Sequence, residues 1–265
     1  MYEFKYQKPG SLSEAASAIK SADDGSLLAG GHTLLPTMKQ RLASPSDLVD
    51  LSGVPGLSGI SVADGNVVIG AMTTHAAVAA SADVKSNIAG LAKLAGCIGD
   101  PQVRHRGTIG GSIANNDPAA DYPGACLGLG ATIVTNNREI SADDFFVGLF
   151  ETALDDGEII TAVRFPIPEK SDYSKFAQPA SRYSLVGAFV AKTSNGARVA
   201  ITGAGQAGVF RVPAMESALD GDFSAASVGS ISLPSDDLNS DIHGSADYRA
   251  HLVTVMAKRA VDGCG

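Results

Sequence analysis

The chain has 265 residues, 45% of them hydrophobic and 18% charged, with a formal charge of −8. That length and apolar content can bury a sizeable core in one large or two modest domains. The acidic balance argues against nucleic acid as the main partner, because phosphate backbones are bound by clustered Lys and Arg.

No run approaches the roughly 18 consecutive apolar residues of a membrane span. The polar start "MYEFKYQKPG" lacks the apolar stretch of a secretion signal, so a cytoplasmic protein is expected. Cys97, Cys126 and Cys264 form no CxxC pair, so neither a disulfide framework nor a cysteine-only metal or iron–sulfur site is indicated.

In chain order, the first fifty residues predict a small β-α-β-α-β unit. "SLSEAASAIKSA" is a helix with Ser11 or Ser13 as N-cap, while "SLLAGG" and "SDLVDLSG" are strands. Antiparallel pairing begins near residue 56, where two alternating runs meet at Asp64-Gly65, a strong hairpin signal. Thr73 or Thr74 caps a short helix through "HAAVAAS", and "VKSNIAGLAKLAG" reads as one longer helix closed near Gly96 or Gly99. "ATIVTNNREI" turns at Asn136-Asn137, Ser141 and Asp144 make a capping box for a helix "ADDFFVGLF", and "GEIITAVRFP" is a strand ended by Pro166.

"PIPEKSD", residues 166–172, reads as a linker. Beyond it a hairpin turns at Asn195-Gly196, the polar "SVGSISLPSDDLNSDIHGS" is a loop, and "SADYRAHLVTVMAKRAV" is a final helix.

The signatures GxxxxGK[ST], HExxH and GxSxG are absent, and the five histidines lack metal-ligand spacing. Gly203 to Gly208 matches GxGxxG literally. A dinucleotide fold needs a helix around the third glycine, however, and here Val209 to Pro213 continue as an extended run, so a turn between antiparallel strands is expected.

"LLAGGHTLLPTMKQR" and "GTIGGSIANND" echo one another: each joins an apolar run to a Gly-Gly turn followed by Thr33 or Ser112. Glycines let consecutive backbone N–H groups point into one concavity that can hold an anion. After the first turn "TLLPTMKQR" is helical in pattern, so its N-terminal amides reinforce the site. On spacing alone, a pair of ordinary tight turns is equally open. The segment 107–123, dense in Gly, Ala, Asn and Pro, does not read as an ordinary strand or helix.

Together, "AGGHTLLPTMK" and "RHRGTIGGSIANNDPAADYP" resemble the FAD-binding medium subunit of the molybdenum hydroxylases, the carbon monoxide dehydrogenase and xanthine dehydrogenase type. The likeness runs over essentially the whole chain, through "CIGDPQVRHRG" and "GEIITAVRFPIP". It implies an α+β protein: an FAD-binding fold of the vanillyl-alcohol-oxidase (PCMH) type in residues 1–168, with subdomains of about 1–55 and 56–168, then a small α+β C-terminal domain in 173–265. It implies FAD as the cofactor, with the molybdenum cofactor on a large partner subunit and [2Fe–2S] clusters on a small one, in a dimer of heterotrimers. The FAD would carry electrons from those clusters to NAD, oxygen or a quinone.

By the same resemblance, Ala29, Gly30, Gly31, His32, Thr33 and Leu34 form the first FAD loop. Thr108, Gly110, Gly111, Ser112 and Asn115 form the second, and the amides of both would hold the pyrophosphate. Asp121 would accept a hydrogen bond from the cofactor, Ile98 and Ile160 would pack against it, and Tyr183 would lie near the flavin. No catalytic acid, base or metal ligand of this chain's own is implied.

Relatives commonly carry a lysine where Ala177 stands here. Lys175 lies two residues earlier on the same expected face, about 6.6 Å away. Arg104 and Arg106, flanking His105, form either a docking rim or a solvated face. Two rival functions stay open: a stand-alone FAD oxidase, against which the absence of a large substrate domain counts, and a non-catalytic nucleotide-binding module.

Overall fold

A computed structural model describes residues 1–264. The expected β-α-β-α-β unit comprises β1 (Lys5–Gln7), α1 (Leu12–Ser21), β2 (Gly25–Leu28), α2 (Leu34–Lys39) and β3 (Asp47–Asp50). Its three strands are parallel in the order β1-β3-β2. Of the two serines that can start α1, Ser11 does so: its hydroxyl accepts the Glu14 N–H. A small core of Ala15, Val49, Leu51 and Ile159 seals the unit.

The second unit begins with β4 (Ile60–Ala63) and β5 (Asn66–Gly70), turned at Asp64 and Gly65 with φ of 51° and 72°, both left-handed as a two-residue hairpin requires. Then come α3 (His75–Ala80), capped by Thr74, α4 (Ala82–Asn87) and α5 (Ala89–Gly96). The single helix expected from "VKSNIAGLAKLAG" is thus two. At Ile88 the backbone leaves helical values (φ −142°, ψ 70°) and the side chain is buried.

Next are α6 (Pro101–Arg106), α7 (Ile109–Asn115), α8 (Tyr122–Leu129), β6 (Thr132–Thr135) and β7 (Glu139–Ser141). The Ser141 cap holds, but α9 (Ala142–Phe145) stops well short of the expected Phe150. The rest of that run becomes a hairpin, β8 (Phe146–Gly148) with β9 (Glu151–Thr152). Asn116 fixes it by donating to the carbonyls of Gly148 and Glu151. β10 (Ile160–Pro166) completes an antiparallel sheet ordered β4-β5-β10-β6-β7.

The expected linker is not loose. Pro166 ends β10, and Lys170 already starts β11 (Lys170–Ala177), so only residues 167–169 connect them, with Ile167 bonded to Gly65 and Glu169 to Lys192. β12 (Ser184–Thr193), β13 (Gly196–Gly205) and β14 (Gly208–Arg211) extend an antiparallel sheet in sequence order. Gly205 to Gly208 is the hairpin turn expected of the spurious GxGxxG. α10 (Pro213–Gly221), α11 (Ala225–Val228) and α12 (Ala246–Gly263) follow, with the apolar face of α12 in the core formed by Val186, Ala188 and Val199. α8 is buried along its whole length between the two antiparallel sheets. No helix among the described residues is long and apolar enough to cross a membrane.

Candidate functional site

The two Gly-Gly segments meet at one cavity of about 560 Å³. All fifteen residues expected at the site line it: Ala29, Gly30, Gly31, His32, Thr33, Leu34, Ile98, Thr108, Gly110, Gly111, Ser112, Asn115, Asp121, Ile160 and Tyr183. They come from the β2–α2 connection and the first residue of α2, the α5–α6 connection, the cap, first turn and last residue of α7, the approach to α8, the first residue of β10 and the loop before β12.

The first segment is a true loop. Gly31 has φ of +73°, and a Cβ at Gly30 would collide with the backbone carbonyl of Arg106, so the chain passes the second segment at a distance only glycine permits. The amides of Gly30, Gly31, His32 and Thr33 donate to no other backbone group among the described residues. Free amides facing a cavity are anion ligands waiting for a partner.

The second segment corrects the sequence reading. Residues 109–115 are helical, started by Thr108, whose Oγ1 accepts the Gly111 N–H at 3.2 Å. Ile109 and Ile113 are buried on one side of this helix, and that packing overrides the low helix propensity of glycine. The amides here are not free: Ile109 donates to Thr73, Gly110 to Ala71 at 2.8 Å and Ser112 to Thr108. Gly110 is a packing glycine, since its Cβ would lie 2.6 Å from that of Ala71.

A Cβ on Gly111, by contrast, would stand 3.0 Å from Thr108 Oγ1 and 3.5 Å from the Ala29 Cβ, between the two segments. What this side offers an anion is hydroxyl and amide side chains. The side chains of Ser112 and Asn115 make no hydrogen bond among the described residues, and the Thr108 hydroxyl keeps its proton to donate.

At the other end, Asp121 is buried in a polar node. Its Oδ1 accepts from the hydroxyls of Tyr173 and Ser184, and its Oδ2 accepts from Lys175 Nζ at 2.9 Å. Lys175 is itself only 5% exposed, and it also donates to the Cys97 carbonyl. The expectation for Lys175 and Ala177 therefore needs correction. A register shift between Phe176 and Ala177 breaks the strand's alternation, leaving Ala177 exposed while Lys175 turns inward onto Asp121.

Ile160 is buried and Ile98 half-buried at the cavity wall, and Tyr183 stands half-exposed at its edge. Arg104 is no free docking charge. Its Nη1 donates to the carbonyls of Ile98 and Gly99 and so shapes the wall.

Sequence reasoning missed His75, Asp117 and Glu158, all at this cavity. His75 is buried, its Nδ1 has no partner, and burial, with the nearby positive groups His32 and Arg104, lowers its pKa to about 4. A lone histidine at a helix start gives no sequence signal. Glu158 is held ionised, its pKa lowered to about 2, first by the guanidinium of Arg138 and further by the Asp155 amide and Thr135 hydroxyl.

The residues fit an extended dinucleotide. There are four amides without a backbone partner opposite the hydroxyls of Thr108 and Ser112, a Gly111 whose Cβ would crowd Thr108 Oγ1 between the segments, apolar walls, a carboxylate with a lone pair to spare, and a buried imidazole whose Nδ1 is unpartnered.

Residues 2–168 match the family model described as the FAD binding domain in molybdopterin dehydrogenase. The chain is 36% identical to the nicotine 6-hydroxylase medium subunit of Paenarthrobacter nicotinovorans, over 98% of this chain and 97% of that one. It is 35% identical to the carbon monoxide dehydrogenase medium chain of Afipia carboxidovorans, over 98% and 96%. Among solved structures, reconstituted CO dehydrogenase from Oligotropha carboxidovorans superposes with a TM-score of 0.90 at 33% identity, covering 99% of this chain and 98% of that one. Quinoline 2-oxidoreductase from Pseudomonas putida 86 gives 0.89 at 31%, covering 99% and 97%.

Proposed function

The chain belongs to the family of FAD-binding domains in molybdopterin dehydrogenases, an oxidoreductase component with the FAD-binding fold, and from that premise we propose that it is the electron-transfer subunit of a molybdenum hydroxylase complex. It takes electrons from the [2Fe–2S] clusters of a small partner subunit, filled in turn by a large molybdenum subunit, and passes them to an external acceptor. The names of the relatives as medium chains of dehydrogenases support a heteromeric assembly. A dimer of heterotrimers is the arrangement we expect.

The observation that carries the reading is the pairing of free amides at Gly30, Gly31, His32 and Thr33 with the hydroxyls of Thr108 and Ser112 across one cavity. These groups hold the pyrophosphate of FAD, and Asn115 adds its carboxamide. Asp121, fixed by Tyr173, Ser184 and Lys175, accepts from an N–H or O–H of the cofactor and orients it. Ile98 and Ile160 exclude water from its faces, and Tyr183 closes the edge. Bound FAD supplies the redox chemistry, while the protein supplies position and electrostatics.

The test is the visible spectrum of the purified chain before and after adding FAD, with the released cofactor identified by chromatography. Flavin absorption near ~450 nm, bleached by dithionite without turnover of small substrates, is the expected result. A colourless chain that refuses FAD overturns the proposal, and turnover of a substrate by the isolated chain favours the stand-alone oxidase.

A further inference from the structure

Three segments meet along one side of the cofactor cavity: residues 29–37, 97–107 and 178–183. Close contacts lock them together. The Arg106 carbonyl packs on Gly30 where only a glycine fits, and the Gly99 carbonyl accepts from the side chains of both Arg104 and Arg182. Between them the segments carry Arg104, Arg106 and Arg182, with His32 and His105, against a single carboxylate, Asp100. In a chain of formal charge −8 this edge is a positive rim.

The charge there is unspent. Arg138, Arg164, Arg198, Arg211 and Arg249 each pair with a carboxylate, whereas Arg104, Arg106 and Arg182 make no ion pair among the described residues. Asp100 is occupied as the N-cap of α6, its Oδ1 accepting the Val103 N–H. Arg104 lends its Nη1 to the carbonyls of Ile98 and Gly99 and keeps its charge, while His105, Arg106 and Arg182 are exposed. α6 buries none of its side chains, so a charged helix lies open beside the cavity wall at Ile98 and Gly99. Isolated surface charges are usually just solvated. Cations gathered from three segments at the edge of one cavity instead focus a field on whatever approaches it.

We propose that this rim, built on α6 and Arg182, is the docking surface for an acidic face of the [2Fe–2S] subunit, which it steers and seats by charge. The inference rests on the electron-transfer reading above, which supplies the partner. Charge complementarity selects that occupant: a [2Fe–2S] cluster held by cysteine thiolates is a net anion in both oxidation states, and more negative in the reduced state that arrives to give up its electron. A partner seated on the rim lies against Ile98 and Gly99, directly outside the cofactor cavity. Exposed charges at the edge of an interface act mainly on the rate of encounter, and salt weakens them.

The experiment measures association kinetics between the FAD-loaded full chain and the [2Fe–2S] subunit of its complex by biolayer interferometry. Salt is varied from about 0.1 M to about 1 M, over which the screening length falls from about 10 Å to about 3 Å. The variants are Arg106→Glu, whose side chain does not line the cavity, and the milder Arg106→Gln. Arg259→Glu makes the same charge change at an exposed, unpaired arginine of α12 and serves as the control. The expected result is an association rate that falls about tenfold or more with salt, about tenfold in Arg106→Glu at low salt and by a smaller factor in Arg106→Gln, with Arg259→Glu within about twofold of wild type. Flavin content and melting temperature stay those of wild type in every variant. The inference is overturned by a salt-independent rate, by equal rates in wild type and Arg106→Glu, by an equal loss in Arg259→Glu, or by a loss in Arg106→Glu that appears only with the large molybdenum subunit. The two failures are separable: a yellow chain that binds the [2Fe–2S] subunit regardless of Arg106 sinks only this inference, whereas a colourless chain, or a yellow one that never binds that subunit, sinks the electron-transfer reading with it.

Discussion

The ammonium of Lys175 lies 2.9 Å from the carboxylate of Asp121, and each side chain is only 5% exposed. The pair ties β11 to the approach of α8 at the cofactor cavity. Removing one partner of such a pair strands a buried charge and costs about 3–5 kcal/mol. Lys175→Met is therefore expected to lower unfolding stability by that order, and Lys175→Met combined with Asp121→Asn to recover much of it. Urea unfolding followed by circular dichroism gives both numbers; equal stabilities for wild type and the single variant would refute the argument.

Gly30 and Gly111 separate folding from binding. Gly30→Ala drives a methyl into the Arg106 carbonyl and is expected to unfold the junction of the two segments. Gly111→Ala sits in a helix, where Ala is favoured over Gly by about 1 kcal/mol, but its methyl would press at 3.0 Å on Thr108 Oγ1, the hydroxyl that caps that helix. It should stay far closer to wild-type thermal stability than Gly30→Ala while weakening FAD about tenfold or more, since the methyl intrudes between the two segments. Flavin fluorescence titration beside thermal melts distinguishes these outcomes.

His75 makes the fold sensitive to mild acid. Its folded pKa, about 4, lies below the 6.5 of the unfolded chain. Above pH 6.5 the imidazole is neutral in both states and costs nothing. As pH falls from 6.5 towards 4 only the unfolded chain takes up the proton, so stability is lost, by about 3 kcal/mol in all. Comparing denaturant midpoints at pH 7 and pH 5 should show a drop that His75→Gln reduces; an unchanged drop would place the acid sensitivity elsewhere.

Glu158 acts at lower pH and with the usual carboxylate sign. Its folded pKa of about 2 lies below the ordinary 4.5, so its contribution is present above pH 4.5 and lost as pH falls towards 2. Arg138→Met removes the largest cause of that shift. It should destabilise the chain at pH 7 and narrow the gap to wild type as Glu158 becomes protonated, which acid titration of both proteins would reveal.

Local signals were legible where one residue decides the outcome: Ser11 and Thr74 as caps, Asp64-Gly65 as a turn, the hairpin around Asn195-Gly196, whose two-residue turn is Ser194-Asn195 with Gly196 opening β13, and the Gly205–Gly208 turn inside a misleading glycine motif. The sequence was silent where packing decides. Ile88 breaks a helix because its side chain belongs in the core, and Ile109 with Ile113 makes a helix of a glycine-rich stretch for the same reason. The residues gathered at the cavity came from paired motifs and a family likeness, but which amides are free there depends on Ala71 and Thr73, far away in the chain. The inward turn of Lys175 depends on a register shift that no spacing rule announces.

The unequal state of the two Gly-Gly segments has a consequence for the life of the chain before it acquires flavin. The helical segment is held by its own bonds to Ala71, Thr73 and Thr108, whereas residues 30–33 have only solvent to satisfy their amides. Cofactor capture is then the last stitch of folding on one side of the cleft. Newly made chains should show rapid hydrogen exchange and protease nicking at that loop, protection arriving with the flavin itself.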